Sequence, residues 1–213
     1  MEIRIHSRFP ALGSFEARPN RAAACLQRLL LRKVVIALFA LLFSVSSLYG
    51  ERLSSTESQV EAAYLYNFGK FVRWPDRVTG VKGRPFTICV FGQDPLGPAL
   101  DSVLAGENMG GSEVIAKRIS VPQEIANCQI LFISSSEESQ LRTILDAVDK
   151  AAILTVSDMP QFSERGGMIH FVREGNRVRF EVNLTATQNC GLTLSSELLK
   201  VAATVRRSRA PRE

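Results

Sequence analysis

Between residues 60 and 75, hydrophobic positions recur with the period of an α-helix. One stripe of this helix would carry Val60, Ala63, Tyr64, Asn67, Phe68, Phe71 and Val72, widened by Leu65 and Tyr66. The pattern ends at Trp74-Pro75, because proline disfavours helical geometry in the residue before it. We therefore expect a helix that packs Tyr64, Phe68 and Phe71 into the core and marks the start of the folded domain.

Short apolar runs follow, and their composition is typical of strands. Three of them are apolar on both faces, as strands buried inside a parallel sheet are. They lie at Phe86–Phe91, 129–135 and 152–158. Segment 113–120 alternates between apolar and polar residues and predicts a half-exposed strand. Segment 168–183 predicts a β-hairpin that turns over Glu174-Gly175-Asn176.

Helical patterns alternate with these strands. Asp94-Pro95 predicts the start of a helix that ends near Ala105, and residues 137–150 are amphipathic. A final helix is expected to begin after a cap at Ser195 or Ser196. The order predicts an α/β fold, a single three-layer domain with a mainly parallel sheet flanked by helices, a C-terminal β-hairpin and a final helix.

The first 50 residues have the build of an export signal. Basic residues between positions 28 and 33 precede an uncharged apolar stretch at 34–49, and small residues follow near its end. Because a membrane-spanning helix needs about 20 apolar residues, we predict cleavage near residues 47–50 and a periplasmic mature protein. A retained membrane anchor is the alternative. Residues 1–27 fit no structural element, and a start codon downstream of them would leave them untranslated.

The formal charge of +5 is concentrated in this leader. Residues 1–50 hold seven Arg and Lys against two Glu, and the rest of the chain holds nineteen residues of each sign. The mature chain is therefore neutral, so the basic pI gives no reason to expect a nucleic-acid partner, and none is predicted. Residues 206–213 are locally basic and predict a disordered tail after an α/β domain at 51–205.

Export would place the cysteines in an oxidising compartment, where a disulfide is the usual state of a pair. Cys89 lies in the first apolar strand, and Cys128 precedes the next. If these strands are neighbours, the two residues can bridge; otherwise they are buried free thiols. Cys190 is left over and is free, buried or intermolecular, while Cys25 leaves with the leader.

A loop at 157–169 follows a predicted parallel strand, and ligands of open α/β sheets bind at that end of the strands. Ser157, Asp158, Gly166 and Gly167 are placed to exchange hydrogen bonds with a small ligand or a partner. The plainer interpretation is that Asp158 caps a short turn and that the two glycines allow a tight reversal into the hairpin.

The hairpin itself carries Arg173, Arg177 and Arg179, which form either an anion-binding edge or a solvated strand face. His170 is the one histidine after the leader, and its strand position favours a half-buried sheet residue. No nucleophile motif, acid–base pair or metal-ligand spacing accompanies it in the sequence. The sequence therefore predicts a protein that is not an enzyme and uses no metal or cofactor.

Six motifs stand in order along residues 57–203. They are VEAAYLYNFGKFVRWP, FTICVFGQDPLGPALD, CQILFIS, ILTVSDMPQF, GGMIHFV and RVRFEVNLTATQNCGLTLSSELLKVA. Their order and spacing resemble the YfiR-like family of periplasmic proteins. The resemblance implies a disulfide between Cys89 and Cys128, which match the family's cysteine pair. A second pair of some members has no counterpart here, because Ser163 and His170 occupy that region.

The resemblance also implies a function in cyclic-di-GMP signalling and biofilm formation. Such a protein binds the periplasmic sensor region of an inner-membrane diguanylate cyclase and keeps the cyclase inactive. An OmpA-like outer-membrane protein relieves the repression by sequestering the repressor, and family members tend to be homodimers. The alternative, motivated by the loop at 157–169 and the hairpin arginines, is a periplasmic small-molecule-binding module that serves another receptor or transporter.

Overall fold

The computed structural model describes residues 56–75 and 83–207, so the predicted export signal and residues 208–213 lie outside the described part. The helices are α1 (56–71), α2 (Pro98–Leu104), α3 (Leu141–Ala147), α4 (Leu184–Asn189) and α5 (Ser196–Val201), with 3₁₀ helices at Pro122–Asn127 and Ser135–Gln140. The strands are β1 (Val72–Arg73), β2 (Phe86–Phe91), β3 (Asn108–Met109), β4 (Ser112–Ile119), β5 (Ile130–Ile133), β6 (Leu154–Ser157), β7 (Ile169–Glu174), β8 (Arg177–Asn183), β9 (Thr193–Leu194) and β10 (Thr204–Arg206).

Eight strands form one sheet in the order β10-β8-β7-β6-β5-β2-β4-β3. Neighbouring strands are parallel except in the β3–β4 and β7–β8 pairs. The antiparallel β7–β8 pair is the predicted hairpin, with Glu174 opposite Arg177 at its end. A separate antiparallel pair joins β1 to β9. The α/β fold with a mainly parallel sheet is thus confirmed.

Both faces of the sheet are covered, which gives the predicted three layers. Successive residues of a strand point to opposite faces, and in β2 Ile88 packs into one hydrophobic cluster while Cys89 packs into another. The first cluster, here called the aromatic face, is covered by α1, α2 and α5. The second, here called the disulfide face, is covered by α3 and the first 3₁₀ helix, residues Pro122–Asn127.

The aromatic face is built around Phe68 of α1. Its ring centroid lies 5.9 Å from that of Phe171 and 5.1 Å from that of Phe180, and Tyr64 stacks on it at 5.9 Å. The expectation that Phe71 also packs into the core is wrong, because its side chain is 41% exposed. The buried stripe of α1 contains positions 61, 65 and 68, which follow the i, i+3, i+4 spacing, and Phe71 lies beside that stripe.

Helix α2 begins at Pro98, three residues after the expected proline. The side chain of Asp94 accepts hydrogen bonds from the backbone N–H groups of Leu96 and Gly97, at 2.8 and 3.0 Å, and so forms a turn before the helix. Gly97 has φ 50° at the helix cap, a conformation that glycine adopts without strain. The predicted cap is therefore wrong, although Asp94 does fix the local chain.

Two further expectations change near the ends of helical segments. Residues 137–150 were expected as one helix but divide into a 3₁₀ helix and α3. The final helix has the predicted cap, since the Ser195 hydroxyl accepts from Leu198 N–H at 3.2 Å. This helix ends at Val201, however, and β10 then pairs with β8, so Arg206 belongs to the sheet and not to a tail.

Candidate functional site

A cleft of about 510 Å³ opens between α1, the loop before α2 and the β7–β8 hairpin. It is lined by Glu57, Ser58, Glu61, Pro95, Asp158, Pro160, His170, Phe171, Val172, Arg173 and Val178. Asp158 follows the carboxyl end of the parallel strand β6, the end at which ligands bind in open α/β sheets. Asp158 and Arg173, both predicted as contact residues, therefore meet in one cavity.

Ser157 was predicted as a contact residue too, but its hydroxyl is committed within the fold. The side chain is fully buried, donates to the Ile133 carbonyl at 2.6 Å and accepts from Met159 N–H at 3.0 Å. These bonds tie β5 to the turn after β6. Ser157 therefore positions its neighbour Asp158 and has no free group to offer a ligand.

The two glycines of the same loop lie away from the cleft. Gly167 is covered by the buried ring of Phe162, which a Cβ atom at this position would overlap. Gly166 has φ 105° and lies beside Leu145. Gly167 therefore allows close packing against Phe162, and Gly166 supplies the left-handed backbone of the reversal into β7, in line with the plainer interpretation of this loop.

Glu61 is the cleft residue that the sequence analysis missed. It is only 7% exposed, although it is a carboxylic acid on the first turns of α1. Burial raises its pKa to about 8, assisted by the negative charges of Asp158 and Glu57 and opposed by Arg173. The available signal was its spacing, because positions 61, 65 and 68 share one helix face and the other two are apolar.

Asp158 has a similar environment. Burial raises its pKa, the charge of Glu57 adds to the effect, and His170 and Arg173 oppose it. Its Oδ1 atom is buried without a hydrogen-bond partner. Arg173, which lines the same cleft, pairs through Nε and Nη2 with both carboxylate oxygens of Glu57. Its guanidinium is therefore engaged by Glu57 and not by Asp158.

A second cavity of about 500 Å³ runs along the other side of the hairpin. Its apolar walls include Val60, Tyr64 and Val178, and Arg177 and Arg179 lie at its edge together with Arg173. We call this cavity the arginine groove. The structure thus brings the three predicted arginines together, on a surface where Val60 is 37% exposed.

His170 faces a polar cluster at the edge of the cleft, half-buried as expected from its strand position. Its Nδ1 atom lies 3.5 Å from Glu181 Oε2, while Ser163 donates to the same oxygen at 2.9 Å. Arg206 of β10 approaches Glu181 at 3.4 Å. Burial alone would raise the pKa of Glu181, but the hydrogen bonds from Ser163 and Arg206 outweigh it and lower that pKa. This cluster joins β7, β8 and β10.

The disulfide between Cys89 and Cys128 is present, with the two Cα atoms 5.8 Å apart. Both residues are buried on the disulfide face. Cys190 is a free, buried thiol whose pKa is raised mainly by burial, so of the three states left open for it the structure shows the buried free one.

Two features are absent from the described ranges. Within residues 56–75 and 83–207, no group of three or more His, Cys, Asp or Glu side chains is arranged to hold a metal ion. In the same ranges, no helix combines the length and apolar character needed to cross a membrane. The apolar stretch at 34–49, on which the export prediction rests, lies outside those ranges.

A protein-family model described as "DUF4154: YfiR/HmsC-like" matches residues 58–203. The match takes in almost all of the residues that the structure describes. A comparison with curated proteins gave no match.

Two solved structures are similar to the chain at low identity. One is an ABC domain in complex with L-Trp from Streptococcus pneumonia, with 13% identity and a TM-score of 0.43. The other is a conserved domain protein of Vibrio cholerae O1 biovar El Tor, with 11% identity and the same TM-score of 0.43. In both cases the similarity covers 62% of this chain and only 58% of the other one. At these values neither structure contributes to the functional argument.

Proposed function

This chain belongs to the YfiR/HmsC-like family, and we propose that it is a periplasmic regulator of cyclic-di-GMP signalling. It binds the periplasmic sensor region of an inner-membrane diguanylate cyclase, keeps the cyclase inactive and so limits biofilm formation. An OmpA-like outer-membrane protein relieves this repression by binding the chain and so removing it from the cyclase. The signal at 34–49 exports the chain and is cleaved near residues 47–50.

The observation that carries this proposal is the extent of the family match. It runs from residue 58 to residue 203 and so includes both faces of the sheet, the hairpin and α5. Members of the family are regulators and not enzymes, and such a protein acts through its surface. The disulfide between Cys89 and Cys128 supports an exported protein, because disulfides persist in oxidising compartments.

We assign the contact with the cyclase to the arginine groove. Interface cores combine apolar side chains with arginine, and this groove sets Arg177 and Arg179 beside Val60, Tyr64 and Val178. The arginines favour an acidic segment of the cyclase sensor region. Val60, at 37% exposed, offers apolar surface that a partner would cover.

Deletion of the gene tests the proposal as a whole. Cellular cyclic-di-GMP and biofilm mass should rise, and the full chain supplied in trans should restore both. A version that lacks residues 1–50 should not restore them, because it stays in the cytoplasm. Unchanged cyclic-di-GMP after the deletion would sink the regulatory role.

The double variant Arg177→Glu/Arg179→Glu tests the groove. It should fail to restore low cyclic-di-GMP and should lose binding to the purified sensor region of the cyclase. Arg142→Glu is the matched control, because its side chain is 96% exposed on α3, against the other face of the sheet. If both proteins repress equally at equal periplasmic levels, the groove is not the contact surface.

We also propose a homodimer, as the family membership suggests. Light scattering of the purified exported chain should give twice the mass of one chain. A mass of one chain at micromolar concentration would remove this part of the proposal and leave the regulatory role untouched.

The cleft beside Glu61 supports a second function, a module that binds a small molecule for another receptor or transporter. A thermal-shift screen with nucleotides and amino acids tests it, because a ligand that binds the folded state raises the midpoint of unfolding. The absence of any stabilising compound would count against it.

A further inference from the structure

The Glu61 carboxyl is unusual because the residue is buried and no hydrogen bond from the described residues stabilises its charged form. It is 7% exposed, and its pKa is set by burial and by the charges of Asp158, Glu57 and Arg173. Buried carboxyls are normally paired or hydrogen-bonded, since an unpaired polar group in an apolar environment costs free energy. Glu61 nevertheless stands on the wall of an open cleft.

Asp158 faces the same cleft from the opposite element. Its Oδ1 atom is buried without a hydrogen-bond partner. Arg173 lines the cleft and its charge acts on both acids, but its guanidinium is hydrogen-bonded to both carboxylate oxygens of Glu57. The charge of His170 acts on Asp158 without a hydrogen bond between them. The cleft therefore presents two carboxyls that form no ion pair within the described part of the chain.

The remaining walls are mixed. The apolar part of the lining consists of Pro95, Pro160, Phe171, Val172 and Val178, and the polar part of Glu57, Ser58, His170 and Arg173. Its volume of about 510 Å³ is within the range of small-molecule sites, about 300–1,000 Å³. A metal ion does not fit, because its ligand atoms must converge within about 2.6 Å of one point and the acidic and histidine side chains of the described ranges do not converge in this way.

We propose that this cleft binds a small organic cation, a primary amine with an apolar body, through the carboxylates of Glu61 and Asp158. The ammonium group supplies the hydrogen-bond donors and the positive charge that the two acids lack. The apolar body packs against the proline and valine side chains. This site is separate from the proposed contact with a cyclase and does not depend on it.

Binding of the amine is coupled to a proton. The pKa of Glu61 is about 8 in the empty cleft, so at neutral pH most molecules carry the protonated acid. An alkylammonium remains charged over this range, since such groups titrate near 10. The charged amine therefore displaces the proton of Glu61, and its affinity should rise as the pH approaches 8, by up to about tenfold per unit.

Calorimetric titration of the purified exported chain with phenethylamine tests the site, and phenethyl alcohol is the uncharged control. We expect saturable binding of the amine, no binding of the alcohol, and affinity that increases between pH 6 and pH 8. Titration in two buffers of different ionisation enthalpy should show release of up to one proton per amine. Absent binding of the amine, or equal binding of the alcohol, would overturn the proposal.

Glu61→Gln and Asp158→Asn should each lower the affinity for phenethylamine at least tenfold. Glu61→Gln should also abolish the release of a proton on binding. Glu113→Gln, an exposed acid on β4 at the far side of the sheet, is the control and should bind as the unmodified chain does. Circular dichroism confirms that each variant is folded. Undiminished binding by folded Glu61→Gln would exclude Glu61 from the site.

Discussion

The two faces of the sheet are held together in different ways. The aromatic face is covered by the long helix α1 and filled by interlocking rings, with Phe68, Phe171 and Phe180 at its centre. The disulfide face is covered by short helices and filled mostly by aliphatic side chains, and the bond from Cys89 to Cys128 closes it. One face thus relies on apolar burial, and the other adds a covalent link to a smaller cluster.

The candidate sites follow the same division. The cleft and the arginine groove both lie against α1 and the hairpin, on the aromatic side. There the helix carries a buried acid, Glu61, on the wall of the open cleft, and burial of such a group lowers stability. Among the described residues Glu61 is the one buried Asp or Glu, so the disulfide face carries no comparable acid. The face with the larger core is also the one that accommodates a destabilising polar group.

Phe68→Ala should have the largest effect. The side chain is completely buried among aromatic rings, and truncation of such a residue costs about 3–5 kcal/mol. The free energy of unfolding of the exported chain, measured in urea, should fall by that amount. A loss below about 1 kcal/mol would show that the rings do not hold this face together.

Removal of the disulfide comes next. The double variant Cys89→Ala/Cys128→Ala opens a loop with a sequence separation of 39 residues, for which chain entropy gives about 3–4 kcal/mol. Urea unfolding with and without dithiothreitol measures the loss. The reductant should destabilise the unmodified chain by a similar amount and leave the double variant unchanged. An equal response of both proteins would contradict a stabilising bond.

Glu61→Gln should change how stability depends on pH. The pKa of Glu61 is about 8 in the folded state, whereas an ordinary glutamate, as in the unfolded chain, has a pKa of 4.5. Between pH 4.5 and pH 8 the folded state therefore keeps a proton that the unfolded state releases. The contribution of this group to the stability of the unmodified chain is therefore greatest below pH 4.5 and falls as the pH rises to 8, by up to about 1.4 kcal/mol per pH unit.

The glutamine side chain of that variant does not titrate, so its unfolding free energy should lack this slope. The advantage of the variant over the unmodified chain should therefore grow by about 3–4 kcal/mol between pH 5 and pH 8. Denaturant unfolding at pH 5, 6.5 and 8 measures the difference, with Glu113→Gln as the control. Parallel pH profiles of Glu61→Gln and the unmodified chain would show that the acid is not buried as described.

Local patterns predicted much of the fold. The apolar runs and the turn at Gly175 specify strands and a hairpin because period and turn chemistry act over a few residues. The Ser195 cap is local for the same reason. The helical spacing of positions 61, 65 and 68 placed Glu61 on the buried face, but its raised pKa was not predictable in this way, because Asp158 and Arg173, whose charges act on it, are distant in sequence. The predicted start of α2 was wrong because the Asp94 side chain accepts hydrogen bonds from the turn residues Leu96 and Gly97, which precede the helix.

The smallest effect is expected at Phe71, where the sequence suggested a core residue. Its side chain is 41% exposed, and its backbone carbonyl accepts a hydrogen bond from Ser195 N–H at 2.9 Å, which alanine at this position keeps. Phe71→Ala should therefore change the free energy of unfolding by less than about 0.5 kcal/mol, as surface substitutions do. Beside Phe68→Ala, it is a matched control one helical turn away on the same helix. A loss of several kcal/mol at Phe71 would mean that another molecule, such as a second copy of the chain, covers this ring in solution.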